Sequence, residues 1–168
     1  MVKKQIMRFR STSGGKLDDS KANIYGNHIL NMLKVRNIKS ITAQEILEDA
    51  KDVDAPYHEY FDWEDSSAAE KYRIAQARQL IASIVEVKII HEEEVPVRVF
   101  VNVVDENGTK AYVPTTYAMV RPTMANQVIA QALKEVKTWK NKYLEYQELA
   151  KIRMAIEDTE QEFIIGED

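Results

Sequence analysis

The sequence contains no cysteine, only five glycines and four prolines, and no long run of apolar residues. Without cysteine the chain has no disulfide framework, no thiolate nucleophile and no zinc site with sulfur ligands. Its apolar runs are far shorter than the roughly 20 residues that span a bilayer, so we expect a soluble protein that does not enter a membrane. Met1 to Arg10 mixes four basic residues with single hydrophobes, so we expect no secretory signal and a cytoplasmic location.

Signatures of common enzymes are also missing. Gly14-Gly15-Lys16 lacks the strand–loop–helix frame and the spacing of a phosphate-binding loop and is typical of a flexible hinge. The acids and histidines that could hold a metal or move protons match no ligand spacing; they are His58, Glu59, Asp62, Glu64, Asp65, His91 and Glu92 to Glu94. We therefore predict a non-enzymatic protein with no cofactor and no metal.

Charge is distributed in blocks along the 168 residues, although the net charge is only −4. Residues 1–40 carry nine Lys or Arg against two Asp, whereas residues 41–70 carry ten acids against Lys51 alone. A partner senses such local fields within a Debye length of about 8–10 Å. The blocks therefore favour a charged partner, or mutual attraction between blocks inside an oligomer.

Hydrophobic periodicity predicts three helices in the N-terminal half. Residues 1–20 are rich in Ser, Gly and charge and predict a flexible basic arm, with a short strand possible at Gln5–Phe9. A first helix is predicted at about Ile24–Arg36. Two capping boxes, Thr42 to Glu45 and Ser67 to Glu70, begin the second and third helices.

Aromatic residues crowd the loop Asp52–Asp65, and this loop is expected to fold back onto the body. The third helix then carries a buried stripe at helical spacing, formed by Ile74, Ala77, Ile81 and Ile84. After Ser83 the period changes to two. A turn at His91–Glu94 and another at Asp105–Gly108 predict a three-stranded antiparallel meander, which completes a helical unit plus β meander over residues 21–122.

A last helix is predicted from about Met124 to Ile156, within a segment 123–156, followed by an acidic tail at residues 157–168. At 1.5 Å per residue this helix would be about 45 Å or longer, more than the diameter of so small a body. Part of its apolar seam should therefore contact another chain or project. The predicted oligomer or partner interface consists of Val128, Val136, Trp139, Tyr143 and Tyr146.

Basic side chains in two regions are candidates for DNA contacts. The arm supplies Lys3, Lys4, Arg8 and Arg10, and the third helix supplies Lys71, Arg73 and Arg78. The order of three helices and a hairpin is also that of a winged helix–turn–helix, in which the third helix enters the major groove. Two features oppose this interpretation: a link of about fourteen residues before the third helix, and acids at the N-terminus of that helix. The alternative for Arg73 and Arg78 is a solvated face or salt bridges to the acidic block.

The run from Ala50 to Ile84 resembles a segment of small proteins encoded by tailed bacteriophages and prophages. The resemblance is carried by Pro56–His58, by Phe61–Asp65 and by Ala68–Ile81, where Ala-Ala-x-x-Tyr-Arg-x-x-Gln-Ala-Arg-x-Leu-Ile is the shared pattern. It continues more weakly to Tyr112-Val113-Pro114 and the last helix. It implies a phage or prophage origin, and therefore action in a host cytoplasm, but no particular chemistry.

The sequence as a whole predicts a mainly helical α+β fold with an N-terminal three-helix unit, a small antiparallel β meander and a long C-terminal helix. The predicted function is that of a phage-type, non-enzymatic DNA-binding or regulatory accessory protein that acts as an oligomer. The alternative is a structural or inhibitory protein that binds a host or phage protein through the aromatic loop and the C-terminal helix, without nucleic acid.

Overall fold

The structure is a computed structural model in which residues 9–12, 16–64 and 69–165 are described, with side chains to residue 163. The chain divides into two compact units, Met1–Arg121 and Pro122–Asp168, called here the N-terminal unit and the C-terminal unit. The predicted class is confirmed, because the fold is α+β and mainly helical, with small antiparallel sheets and a long helix in its C-terminal region. Among the described residues, no helix is long and apolar enough to cross a membrane.

The described part of the N-terminal unit contains four helices, and side-chain caps begin the first two. These are α1 (Asp19–Val35), α2 (Ala43–Ala50), α3 (Ala69–Ser83) and the short α4 (Thr115–Met119). The first predicted capping box is confirmed: Thr42 Oγ1 accepts from the Glu45 backbone N at 3.1 Å, and Glu45 Oε2 accepts from the Thr42 backbone N at 2.7 Å. The second predicted box, Ser67 to Glu70, lies partly outside the described residues.

One apolar core joins the three helices. The predicted stripe faces this core: Ala77 and Ile81 of α3 are buried, Ile74 is half-buried against it, and Ile84, which follows α3 directly, is also buried. α1 contributes Ile29, and α2 contributes a buried pair of aliphatic side chains, Ile46 and Leu47. Each fully buried aliphatic side chain stabilises the fold by about 1.5–3 kcal/mol.

The aromatic loop folds back onto the body, as its composition predicts. Tyr57 is fully buried and Phe61 nearly so, and their ring centroids lie 6.5 Å apart in an edge-on arrangement. A single 3₁₀ turn, His58–Tyr60, reverses the chain inside this loop. Tyr57 and Phe61 are therefore part of the core, and Tyr60 and Trp63 are half-buried against it.

The predicted three-stranded meander is wrong in its connectivity. Strands β2 (Ile84–Ile90) and β3 (Glu93–Arg98) form one hairpin, whereas β4 (Phe100–Val104) and β5 (Lys110–Pro114) form a separate two-stranded sheet. The predicted second strand is divided at Val99. The burial pattern gives the reason. Val99, Phe100 and Val101 are buried in succession, which breaks the alternation of buried and exposed residues expected of a single strand, and the chain crosses here from one sheet to the other.

The predicted flexible arm, residues 1–20, is also wrong over its described part. Strand β1 (Phe9–Ser11) pairs antiparallel with β2, and its Phe9 side chain is 1% exposed. The Phe9 backbone N donates to Asn23 Oδ1 at 3.1 Å, which ties the strand to α1. Burial of one large ring thus outweighs the Ser- and Gly-rich composition. Residues 1–8, which include most of the predicted strand Gln5–Phe9, and residues 13–15 lie outside the described part of the chain.

The predicted single helix from Met124 to Ile156 is broken in the structure. Helix α5 (Pro122–Lys142) is followed by a turn, by a 3₁₀ turn at Gln147–Leu149 and by helix α6 (Ala150–Ile165). Arg153 explains the break, because its Nη1 donates to the backbone carbonyls of Tyr143, Leu144 and Tyr146. A charged donor that binds several carbonyls at a helix end stabilises the chain reversal there.

The same reversal corrects the predicted acidic tail at residues 157–168. Residues 157–165 belong to α6, and Lys140 of α5 lies 3.0 Å from Glu160 and 3.6 Å from Glu157. Acids that would repel one another in an extended tail are therefore paired with the basic helix of the same hairpin.

Candidate nucleic-acid interface

The three candidate basic residues of helix α3 differ in their surroundings. Lys71 and Arg78 are exposed and stand seven residues apart, about 10 Å along the same helix face. Arg73 is bound within the protein: its Nε donates to the Asp62 carbonyl at 2.6 Å, and its guanidinium lies 5.2 Å from the Trp63 ring centroid. Arg73 therefore closes the loop that precedes α3.

Of the candidate residues in the arm, Arg10 is the one that the structure describes. Arg10 lies in β1, where its Nη1 is 2.6 Å from Glu94 Oε2 and its Nε is 3.9 Å from Asp19 Oδ2. These contacts join β1 to β3 and to the start of α1, so they give the charge of Arg10 a structural task. Lys3, Lys4 and Arg8 lie outside the described residues.

A groove in the N-terminal unit brings Arg78 together with a cation that the sequence analysis did not select. Its cavity volume is about 510 Å³. It is lined by Arg78 and Ile74 of α3, by Thr42, Ala43 and Gln44 at the start of α2, and by Asn102, Lys110 and Tyr112 of β4 and β5. We call this site the basic groove. Six of its eight lining residues carry polar side chains, and Ile74 is its largest aliphatic side chain.

Two backbone hydrogen bonds place the walls of the basic groove. The Ile41 N donates to the Tyr112 O at 2.8 Å, and the Tyr112 N donates to the Ile41 O at 2.7 Å. This isolated bridge holds β5 beside the capping box that begins α2. Two residues 71 positions apart in sequence therefore lie side by side in one wall, which no local pattern can indicate.

The electrostatics of the basic groove favour an anion. In the part of the chain that the structure describes, no carboxylate oxygen lies within 4 Å of the charged nitrogens of Arg78 or Lys110. Burial raises the pKa of the Tyr112 phenol, against the charge of Arg78 and a hydrogen bond from Asn102, so this hydroxyl stays neutral. The groove thus combines two cations with the polar side chains of Asn102 and Tyr112. Thr42 and Gln44, which also line it, hydrogen-bond to the carboxylates of Glu45 and Glu48.

The residues considered for catalysis have structural partners. His58 Nδ1 lies 2.7 Å from the Ala50 carbonyl, and its ring stacks on Trp63 with centroids 4.9 Å apart. His91 and Glu92 form the two-residue turn between β2 and β3, both with positive φ. Within the described residues, no three His, Asp or Glu side chains converge on a point that could hold a metal ion.

A partly buried polar network around Asp49 is not indicated by the sequence analysis. Tyr57 Oη donates to Asp49 Oδ2 at 2.6 Å, His28 Nε2 lies 2.9 Å from the same oxygen, and Arg36 Nη2 donates to Oδ1 at 3.0 Å. The only sequence signal is a histidine on the predicted inner face of the first helix. Because Tyr57 is fully buried, no substrate can reach its hydroxyl, and the network joins α1, α2 and the aromatic loop.

The C-terminal unit contains all five predicted interface residues. Trp139, Tyr143 and Tyr146 form a ring cluster, with centroids 5.4 Å and 5.7 Å apart along the series. Val128 is half-buried, and Val136 stands at the border of exposure. The aromatic residues are thus brought together at the turn end of the α5–α6 hairpin and do not extend along a rod.

Comparisons with known proteins were made with family models, with curated proteins and with solved structures. None of the three finds a match for this chain. The fold and the site therefore define a class only: a mainly helical α+β protein with a donor-rich basic groove in its N-terminal unit.

Proposed function

We propose that this protein is a phage-type, non-enzymatic accessory protein that binds DNA through the basic groove and acts as an oligomer in the host cytoplasm. The observation that carries the proposal is the pairing of Arg78 and Lys110 in one groove without a neighbouring carboxylate in the described residues. Cations left unneutralised by the protein are those that can release counterions from phosphates.

The geometry favours contacts to the DNA backbone over insertion of α3 by its N-terminus. Of the two candidates near that end, Arg73 is bound to the Asp62 and Glu64 carbonyls, whereas Lys71 is exposed. Lys71 lies on the same exposed face of α3 as Arg78 but outside the groove. A DNA backbone bound at the groove would therefore run along this helix. Contacts of this kind position a protein on DNA but do not read sequence.

Charge reversal in the groove tests this proposal. We expect the wild-type protein to bind a random duplex with an affinity that falls steeply with salt. The double variant Arg78→Glu and Lys110→Glu should lose at least about tenfold in affinity, and the slope of log K against log salt should shrink by about 2, since each phosphate contact contributes about 0.9. Fluorescence anisotropy at several salt concentrations measures both quantities.

The matched control is Lys34→Glu with Lys39→Glu, two exposed cations elsewhere in the N-terminal unit that change the net charge equally. It should retain most of the affinity and the salt slope. Deletion of residues 1–8 measures separately what Lys3, Lys4 and Arg8 add. A flat salt slope in the wild type, or an equal loss in the control, removes the basic groove as a DNA site.

A second candidate function is that of a structural or inhibitory protein that binds a host or phage protein without nucleic acid. It is favoured by large apolar side chains left exposed on the C-terminal unit, among them Leu144, Ile152 and Met154. In the aromatic loop, Tyr60 and Trp63 are the half-buried rings that could contribute to it, since Tyr57 and Phe61 are buried. This candidate is favoured if DNA binding is absent or insensitive to salt and the protein still binds a protein partner.

A further inference from the structure

One wall of the basic groove is a face of the β4–β5 sheet. Successive residues of a strand point to opposite faces, and the buried face of these two strands is formed by Val101, Val103, Ala111 and Val113. The opposite face carries Asn102 of β4 and both Lys110 and Tyr112 of β5, all of which line the groove. The sheet therefore presents an amide, a cation and an aromatic ring side by side.

Tyr112 is held in position before a ligand arrives. Part of its side chain packs against the core cluster of the chain, and the rest lines the groove. Asn102 is its partner in the strand register and donates a hydrogen bond to the phenol oxygen. The two backbone hydrogen bonds to Ile41 fix the main chain of Tyr112 as well. A ring fixed in this way binds a ligand at little further cost in conformational entropy.

The basic groove combines positive charge with apolar surface. Arg78 and Lys110 provide the charge, whereas Ile74, Ala43 and the ring of Tyr112 provide the apolar atoms. A phosphate group by itself gains nothing from apolar atoms, but the flat face of a nucleobase stacks on aromatic side chains. A nucleotide has both parts and therefore matches both kinds of lining residue.

The start of α2 limits where phosphates can lie in the groove. Thr42 and Gln44, which line this side, hydrogen-bond to carboxylates of the same helix. Negative charge on that side disfavours a phosphate there. The phosphates of a bound strand therefore belong at Arg78 and Lys110, and a base belongs at the ring of Tyr112.

From this combination we infer that the basic groove binds an unpaired nucleotide of a DNA single strand, with its base stacked on Tyr112. In a duplex each base is held in the stack by its pair, and it reaches a recessed ring only when it is flipped out, which costs free energy. A base in a single strand does not bear this cost. The inference rests on the proposed function, because it names the form of DNA that the same groove prefers.

Three labelled ligands compared by fluorescence anisotropy test the inference on the unaltered protein. They are a single strand of about 12 nucleotides, the duplex of the same length, and an abasic strand that keeps the phosphates but has no bases. We expect the single strand to bind at least about tenfold more tightly than either of the others, since base stacking is lost in the abasic strand and unpairing is required in the duplex. Equal affinities of the single strand and the abasic strand overturn the inference.

Substitution of Tyr112 locates the stacked base. Tyr112→Leu keeps an apolar side chain without a ring and should lose about tenfold in affinity for the single strand, but little for the abasic strand. Tyr112→Phe keeps the ring and should retain most of the affinity. Tyr72→Leu is the matched control, because Tyr72 is an exposed tyrosine outside the groove. An equal loss for both strands in Tyr112→Leu, or an equal loss in the control, contradicts stacking at this position.

Two further outcomes separate this inference from the proposed function. A duplex that binds as tightly as the single strand, with a steep salt slope, would sink the preference for an unpaired nucleotide and leave the basic groove as a DNA site. Absence of salt-dependent binding for both forms would remove the proposed function as well. A mononucleotide should displace the strand poorly, because it lacks the phosphates that reach Lys71 on α3. Displacement at equal concentration would make a free nucleotide the ligand and overturn the single strand.

Discussion

Replacement of Asp49 by alanine should lower the free energy of unfolding by about 2–3 kcal/mol. The carboxylate accepts from Tyr57 and Arg36 and contacts His28, and its side chain is only 15% exposed. Its removal leaves the buried hydroxyl of Tyr57 without its acceptor and Arg36 without its counter-ion. Urea unfolding followed by circular dichroism measures the change.

Asp54→Ala is the matched control, because Asp54 is an exposed acid of the same acidic region. Its effect should stay within about 0.5 kcal/mol, as for most surface substitutions. A double-mutant cycle of Asp49→Ala with Tyr57→Phe should show strong coupling, since both variants remove the same hydrogen bond. Equal effects of Asp49→Ala and Asp54→Ala would show that the network does not hold the three elements together.

The same carboxylate should make stability depend on pH in the acid range. Burial opposes its ionisation, but hydrogen bonds from Tyr57 and His28 and the charges of His28 and Arg36 outweigh burial, so the pKa of Asp49 lies below its ordinary value. A carboxyl group with a depressed folded-state pKa stabilises the fold fully above the unfolded-state pKa of about 3.9. That contribution is lost as the pH falls through the folded value. Unfolding curves from pH 6 to 2 should therefore be less pH-dependent for Asp49→Ala than for the wild type.

Replacement of Phe9 by alanine should cost about 3–5 kcal/mol, the usual loss for a buried ring. Such a loss would not arise from a flexible arm, because a solvated side chain has no core contacts to lose. Tyr72→Ala is the control, since Tyr72 is an exposed aromatic residue on α3 and should change stability little. Thermal and urea unfolding both report the difference. If both substitutions had similarly small effects, Phe9 would not be buried in the core and would belong to a flexible arm.

Gly26 provides an independent check of the Phe9 position. A methyl group at Gly26 of α1 would meet Phe9 Cδ2 at 2.6 Å and Ile84 Cγ2 at 3.1 Å. Gly26→Ala should therefore destabilise the protein, although glycine to alanine inside a helix normally gains about 1 kcal/mol. In the Phe9→Ala background the same change should become neutral or stabilising. A stabilising Gly26→Ala in the wild type would show that Phe9 does not pack there.

The candidate site illustrates what sequence reasoning can find. Basic charge on the third helix predicts Lys71, Arg73 and Arg78 as candidates, and of these Arg78 lines the groove. Lys110, Asn102 and Tyr112 were missed, because they enter the groove from strands that begin more than 20 residues later. Arg73 and Arg10 were selected for charge alone, and sequence does not show which cations the fold neutralises internally.

The sequence by itself determined the local features of this protein: the fold class, the capping box at Thr42, the inner stripe of α3 and the burial of the aromatic loop. These follow from neighbours in the chain, since caps and amphipathic periods act over one or two helical turns. The tertiary structure alone decided the burial of Phe9, the division of the meander at Val99 and the reversal at Arg153. Each of these depends on contacts between distant segments, whose free energy outweighs the local preference of the chain.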